Sequence, residues 1–380
     1  MNKSLQQRKI GVLGGGQLGR MLFQDAISLD LSIHFLDPDA SAPCSSIARN
    51  FSQGNFKDFE PVYHFGKDKD IITIEIEHVN LEALKKLETE GVKVFPQPGV
   101  LEIIQDKGLQ KEFYTRHNIP TAPFYLVENK TEALTYSAEF PFMQKLRKGG
   151  YDGRGVTPLR NERDAEKAFD EPSVLEKFVD FEKELSVIVA RNEKGEVAHF
   201  PVVEQEFNAE ANLVEFLVTP ARISAETEQK AIEIVRKVIE KLEMVGLLAV
   251  ELFLTPTGEI LVNEMAPRPH NSGHHTIEAC ATSQFEQHLR SICNLPLGST
   301  SWLKPAVMIN LLGEKGHEGN VHYQGMDDAL EIEGVYPHIY GKKITKPFRK
   351  MGHITVIGET IEDAIDKAKK IQNQVKVIAQ

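Results

Sequence analysis

One stretch limits the possible folds more than any other. Ile10 to Leu22 reads IGVLGGGQLGRML, an apolar run that breaks into glycines and resumes as a helix, with Gly14, Gly16 and Gly19 at G-x-G-x-x-G spacing. Glycines allow a tight turn and let an anion approach the backbone, where the free N–H groups of the following helix face it. The chain therefore opens with a strand, a turn and a helix. Asp37 ends the next apolar stretch, LSIHFLD, about where a ribose-binding acid stands in a dinucleotide site. A nicotinamide-dependent dehydrogenase is one reading of this start; glycines kept for packing, or for another anion, are the other.

Short strands go on alternating with helices as far as FPQPGV, Phe95 to Val100, whose prolines and glycine mark a boundary. This predicts an α/β, Rossmann-like domain with a parallel sheet over residues 1–105. Residues 106–300 read as α+β. ELSVIVARNEKGEVAHFPVV is a hairpin by its spacing, and ETEQKAIEIVRKVIEKLEM places Ile232, Val235, Ile239 and Leu242 on one helical face. Residues 301–380, with PAVMINLLG, GHITVIG and an amphipathic helix, suffice for a small third domain.

A net charge of -11 argues against a phosphate-backbone surface, so no nucleic-acid partner is expected. No apolar run approaches a membrane span, and no membrane partner is expected. The apolar run after MNKSLQQRK is too short for a secretory leader. Cys44, Cys280 and Cys293 are scattered, without metal or disulfide spacing, which suits the cytoplasm.

Three constellations carry chemistry. In LLAVELFLTPTGEILVNEMAPR, two strands flank a turn at Pro256 to Gly258, and symmetric pairing sets Glu251 opposite Glu264. Like charges so placed destabilise a hairpin unless a cation such as Mg²⁺, which favours carboxylate and phosphate oxygens, lies between them. In QKLRKGGYDGRGV, a glycine loop over residues 148–156 is surrounded by Lys145, Arg147, Lys148 and Arg154, a composition suited to folding over a polyphosphate. It is not a P-loop. In NEMAPRPHNSGHH, Arg268, His270, Asn271 and His274 offer a planar cation, imidazoles and an amide for holding oxyanions and moving protons.

Together these motifs resemble the ATP-grasp superfamily. Within it, GGGQLGRM, GGYDGRG, APRPHNSGHH, SQFEQHLR, IPTAPF, AVMINLLG and RKMGHITV are similar to the N5-carboxyaminoimidazole ribonucleotide synthase family. The resemblance implies an ATP-grasp fold between a pre-ATP-grasp domain and a small C-terminal domain, acting as a cytoplasmic homodimer with ATP and two Mg²⁺ ions and without biotin or NAD. It implies a nucleotide site of Lys107, Lys145, the loop Gly150, Tyr151, Asp152, Gly153, Arg154, Gly155 and Val156, the strand Glu176, Lys177, Phe178 and Val179, and Glu184, Phe207, Asn263 and Glu264. Lys107 stands where the family usually has arginine, and Phe207 where related sequences often have histidine. Strict strand alternation turns Asn263 away from Glu264.

For 5-aminoimidazole ribonucleotide, the resemblance points to Gly16, Gln17, Leu18, Tyr151, Asp152 and Arg154, and to Lys342 and Arg349 in YGKKITKPFRKMGH, where the usual Pro-Gly reads Pro-Phe. The implied reaction is carboxylation of that ribonucleotide by ATP and bicarbonate through carboxyphosphate, held by Arg268, His270 and Asn271, with Asp152 orienting the amine and His270, His274 or phosphate taking its proton. The rival readings are another ATP-grasp carboxylate-amine ligase and the dehydrogenase.

Overall fold

The computed structural model describes residues 3–150, 155–208 and 213–380. The opening alternation forms β1 (Lys9–Leu13), β2 (Ser32–Asp37), β3 (Phe51–Gln53), β4 (Ile71–Ile74) and β5 (Lys93–Val94), all parallel, in the order β3-β2-β1-β4-β5. Parallel strands need crossover connections, and the helix Gln17–Ser28 supplies the first. The glycine turn and the residues after β4 consequently lie together at the carboxyl edge of the sheet, where open α/β sheets bind ligands.

An antiparallel sheet follows, made of β6 (Phe124–Val127), β7 (Phe142–Leu146), β8 (Val156–Leu159) and β9 (Ser173–Lys177), in the order β6-β9-β7-β8. The rest of the chain adds β10 (Lys183–Arg191), β11 (Val197–His199), β12 (Val203–Asn208), β13 (Leu213–Thr219), β14 (Gly246–Leu254), β15 (Ile260–Ala266), β16 (Ala306–Leu312), β17 (Gly319–Gln324), β18 (Val335–Ile339), β19 (Ile344–Thr345), β20 (Lys350–Ile357) and β21 (Lys376–Ala379). Among the described residues, one large sheet runs β15-β14-β10-β12-β13-β16-β20-β18, with β11 on β10 as the expected hairpin, and a small one runs β19-β17-β21. Strands from beyond residue 300 therefore continue the sheet that carries the acid hairpin.

The amphipathic helix Ala225–Leu242 begins at Ser224, whose side chain accepts from the Thr227 N–H, and buries Val235, Ile239 and Leu242. A second core joins the parallel sheet to the helix Gln284–Ile292 through Ile10, Val12, Phe35, Phe285, Leu289 and Ile292. Buried His288 meets Thr73 Oγ1 of β4 at 2.8 Å through Nε2. This packing fixes the loop of residues 268–275, which leads into that helix, against the edge of the parallel sheet.

Candidate active site

β14 and β15 pair antiparallel with Glu251 directly opposite Glu264, as the spacing predicts. The register then slips: Leu252 pairs with Val262, leaving Asn263 unpaired in a bulge. A bulge re-aims side chains and ends strict alternation, so Asn263 and Glu264 both reach site lysines. Lys145 Nζ donates to Asn263 Oδ1 at 3.3 Å, and Lys107 Nζ to Glu264 Oε2 at 3.3 Å. Lys107 holds the Glu264 carboxyl below its usual range, whereas burial and the Glu264 charge push Glu251 up. The pair has room for one negative charge and resists a second.

Across from the acids, Glu176 is buried between two cations, with one oxygen on Lys111 Nζ and the other on Lys145 Nζ. Lys111 Nζ also donates to Thr121 Oγ1 at 2.6 Å, and that hydroxyl donates to the Val262 carbonyl at 2.8 Å, just before the bulge. Lys177 turns elsewhere, 3.2 Å from Glu139 Oε2 and over the Phe142 ring; Phe178 is exposed and Val179 half-buried. Glu184 stands on β10 between Gln205 and Phe253 in the ladder, and burial, then Glu264, push it up to about 7. Gly150 and Val156 line the cleft above the acids, and Gly155 takes φ +72°. Tyr151, Asp152, Gly153 and Arg154, and the side chain of Phe207, lie outside the described residues.

The loop after β15 separates two cavities. The first, about 290 Å³, holds Lys107, Glu251 and Glu264; the second, about 500 Å³, holds Gln17, Leu18 and His274. Both are lined by Glu77, His78, Arg268, His270, Asn271 and Lys350. Arg268 is held by Glu77 Oε1 at 2.7 Å. Ser272 N–H donates to His270 Nδ1 at 3.4 Å, which leaves the proton on Nε2, 3.9 Å from Glu251 Oε1. Burial, then Arg268, push His270 down to about 3, so it stands neutral. His274 is buried, accepts from Gln284 Nε2 at 3.0 Å through Nδ1, and is likewise pushed down by burial.

At the glycine turn the anion is the protein's own. Glu75 accepts from Gly16 N–H at 2.9 Å and Gly19 N–H at 2.7 Å, and Asp37 accepts from Gly15 N–H at 2.7 Å. A Cβ on Gly16 would lie 2.7 Å from Glu75 Oε1, so the small residue is required by an internal carboxylate. Of the basic run near the C-terminus, Lys342 Nζ donates to the Lys350 carbonyl at 2.8 Å and Arg349 to the Ile344 carbonyl at 2.7 Å. Neither lines either cavity, whereas Lys350 lines both.

Comparison with known proteins bears on this arrangement. Three family descriptions match in turn: the ribonucleotide synthetase preATP-grasp domain over residues 7–105, the ATP-grasp domain over 112–285, and the phosphoribosylaminoimidazole carboxylase C-terminal domain over 306–367. An N5-carboxyaminoimidazole ribonucleotide synthetase structure from Thermotoga maritima is 47% identical with a TM-score of 0.91, covering 98% of this chain and 100% of that one. The chain belongs to the N5-carboxyaminoimidazole ribonucleotide synthase family.

Another structure in this synthase family, from Aspergillus clavatus and in complex with ADP and 5-aminoimidazole ribonucleotide, is 35% identical with a TM-score of 0.88, covering 97% of this chain and 100% of that one. The chain also matches the chloroplastic phosphoribosylaminoimidazole carboxylase of Vigna aconitifolia, 42% identical over 93% of this chain, and spans 64% of that relative's length. Against the synthase family pattern, Lys107 reaches a single oxygen of Glu264, the one-point contact expected of lysine where arginine would offer a fork.

The Pro-Phe departure from the synthase pattern also has a structural outcome. Phe348 takes φ +62°, the left-handed conformation that glycine adopts freely, and its side chain is 51% exposed. An L-residue there costs about 1 kcal/mol, partly offset by the extra freedom glycine gives the unfolded chain. Phe348→Gly is therefore expected to raise stability by roughly 0.5 kcal/mol, read as a higher urea midpoint at unchanged slope. A lower midpoint would show that the phenyl ring contributes more than the backbone strain removes.

Five residues of this site carry no signal singled out in the sequence: Glu75, Glu77, His78, Lys111 and Lys350. The signal for Glu75 was present in DIITIEIE, where acids follow an apolar strand beside the glycine turn.

Proposed function

We propose that the chain uses ATP to carboxylate 5-aminoimidazole ribonucleotide with bicarbonate, giving N5-carboxyaminoimidazole ribonucleotide, ADP and phosphate in purine synthesis. The observation that carries this reading is the wall shared by the two cavities. That wall, Glu77, His78, Arg268, His270, Asn271 and Lys350, sets a site for an intermediate made on the acid side next to the cavity on the glycine-turn side.

ATP would lie in the first cavity, with Lys107 and Lys145 beside its phosphates, the glycine loop of residues 148–156 above them, and Glu184 toward the ribose. The opposed Glu251 and Glu264 suit a hard divalent cation such as magnesium, two ions on the family expectation, which would neutralise charge on the transferring phosphoryl group. Among the described residues no group of three or more His, Cys, Asp or Glu is arranged to hold a metal alone. Magnesium is usually held by one or two carboxylates completed by phosphates.

A bicarbonate oxygen attacks the γ-phosphorus and the bond to ADP breaks, giving carboxyphosphate. Arg268, neutral His270 through Nε2–H, and Asn271 hold its oxygens. The exocyclic amine of the ribonucleotide, oriented by Asp152, then forms the C–N bond as phosphate leaves, and the amine proton passes to that phosphate, because His270 and His274 are both pushed down by burial and each already accepts a hydrogen bond at Nδ1. Gln17 and Leu18 line the ribonucleotide cavity beside Lys350; Gly16, Tyr151, Arg154, Lys342 and Arg349 are carried to the same substrate by the family resemblance alone. The same reading carries a cytoplasmic homodimer with segments 1–105, 106–300 and 301–380.

The test is ADP release with magnesium and ATP while bicarbonate and 5-aminoimidazole ribonucleotide are varied independently. Release should rise strongly only when both are present. Release indifferent to the ribonucleotide would exclude the proposal.

A further inference from the structure

Asn271 and Asn310 form a reciprocal amide pair: Asn271 Nδ2 donates to Asn310 Oδ1 at 2.9 Å, and Asn310 Nδ2 to Asn271 Oδ1 at 3.1 Å. They come from different parts of the chain. Asn271 follows the acid hairpin and faces both cavities, whereas Asn310 sits on β16 beyond the ATP-grasp match, lines neither cavity, and is fixed in the sheet opposite His353 of β20. An asparagine amide offers two N–H donors and two acceptor lone pairs. The pair takes one of each, leaving Asn271 one N–H and one lone pair for a ligand. The terminal torsion of a lone asparagine is broad, and a closed ring of two hydrogen bonds removes that freedom.

We propose that Asn310 is a positioning residue for carboxyl transfer: it fixes the plane of the Asn271 amide so that the remaining N–H faces the carboxyphosphate between the two cavities. The inference rests on the reading of Asn271 given above and extends it to a residue that touches no substrate. Its consequence concerns coupling. Phosphorylation of bicarbonate takes place beside the acids and needs no help from Asn310, but a loosely held carboxyphosphate hydrolyses before the amine reaches it.

The experiment measures carboxylated product formed per ADP released in the wild type, Asn310→Ala, Asn271→Ala and the double variant, with ADP binding as the check that each is folded. Asn310→Ala is expected to lower the ratio roughly three- to tenfold, the scale of one lost hydrogen bond, while ADP release stays within about twofold. In the Asn271→Ala background the same substitution should add nothing, because its effect passes through that amide. Asn310→Asp, which accepts from Asn271 but offers it no donor, should lower the ratio in the same direction and is read in place of Asn310→Ala if the latter fails to bind ADP. An unchanged ratio in the Asn310 variants, or an equal fall in both backgrounds, overturns the inference. An unchanged ratio in Asn271→Ala instead removes the role given to Asn271, and the positioning role with it. Activity that ignores the ribonucleotide altogether is the separate failure of the function proposed.

Discussion

Glu264→Gln is expected to reduce ATP turnover by at least about 100-fold, close to 3 kcal/mol of transition-state stabilisation, while leaving the chain folded. The substitution keeps the shape of the side chain and its place opposite Glu251 but removes the one carboxylate of the pair that Lys107 holds ionised. Glu251 is the carboxyl of the pair that burial and the neighbouring Glu264 charge push up, so it is the weaker anion of the two. A cation held by a single carboxyl loses much of its attraction, and Lys107 is left facing a neutral amide. ADP release measured over a magnesium titration tests this. A wild-type rate at ordinary magnesium would remove Glu264 from the metal assignment.

Lys111→Met should have the largest effect on stability, a loss of about 3 kcal/mol, read from the urea midpoint at unchanged slope. Methionine fills the volume left by the lysine stem. It cannot satisfy Glu176, which is 6% exposed, nor the Thr121 hydroxyl. Lys145 would then be the sole partner of that carboxylate and would be drawn toward it, away from Asn263. The KM for ATP should therefore rise together with the loss of stability. A loss under about 1 kcal/mol would show that water or a rearranged side chain replaces the ammonium group, because breaking a buried pair without such help costs several times more.

The acid hairpin was legible because a tight turn fixes register by counting, so Glu251 and Glu264 could be paired from their distances to it. The bulge is not legible: one extra residue on one strand leaves no mark in the alternation, so strict alternation aims Asn263 at the face opposite Glu264, whereas the paired register frees it from that rule. Lys111 reads as an ordinary polar position on a helix, since nothing local announces a carboxylate 65 residues later. Within the basic run YGKKITKPFRK, the pleat and the slip between Leu311 and Leu312 decide which cation turns inward, and both depend on the partner strand. The family motifs located the substrate loops as a group; which of their side chains face a cavity is a property of packing.

The carboxylate of Glu75 at the start of the helix Gln17–Ser28 has a wider meaning. A glycine turn of this kind ordinarily presents a wall of donors, and the sequence reads as if a ligand phosphate would complete it. Here the wall is completed during folding, and the surface offered at that point has inverted polarity: acceptor oxygens where a dinucleotide site shows amide hydrogens. An incoming pyrophosphate meets the Gly16 and Gly19 amides already bound to Glu75 and the Gly15 amide bound to Asp37. A spacing shared with nicotinamide enzymes here closes on two of the chain's own carboxylates, those of Glu75 and Asp37.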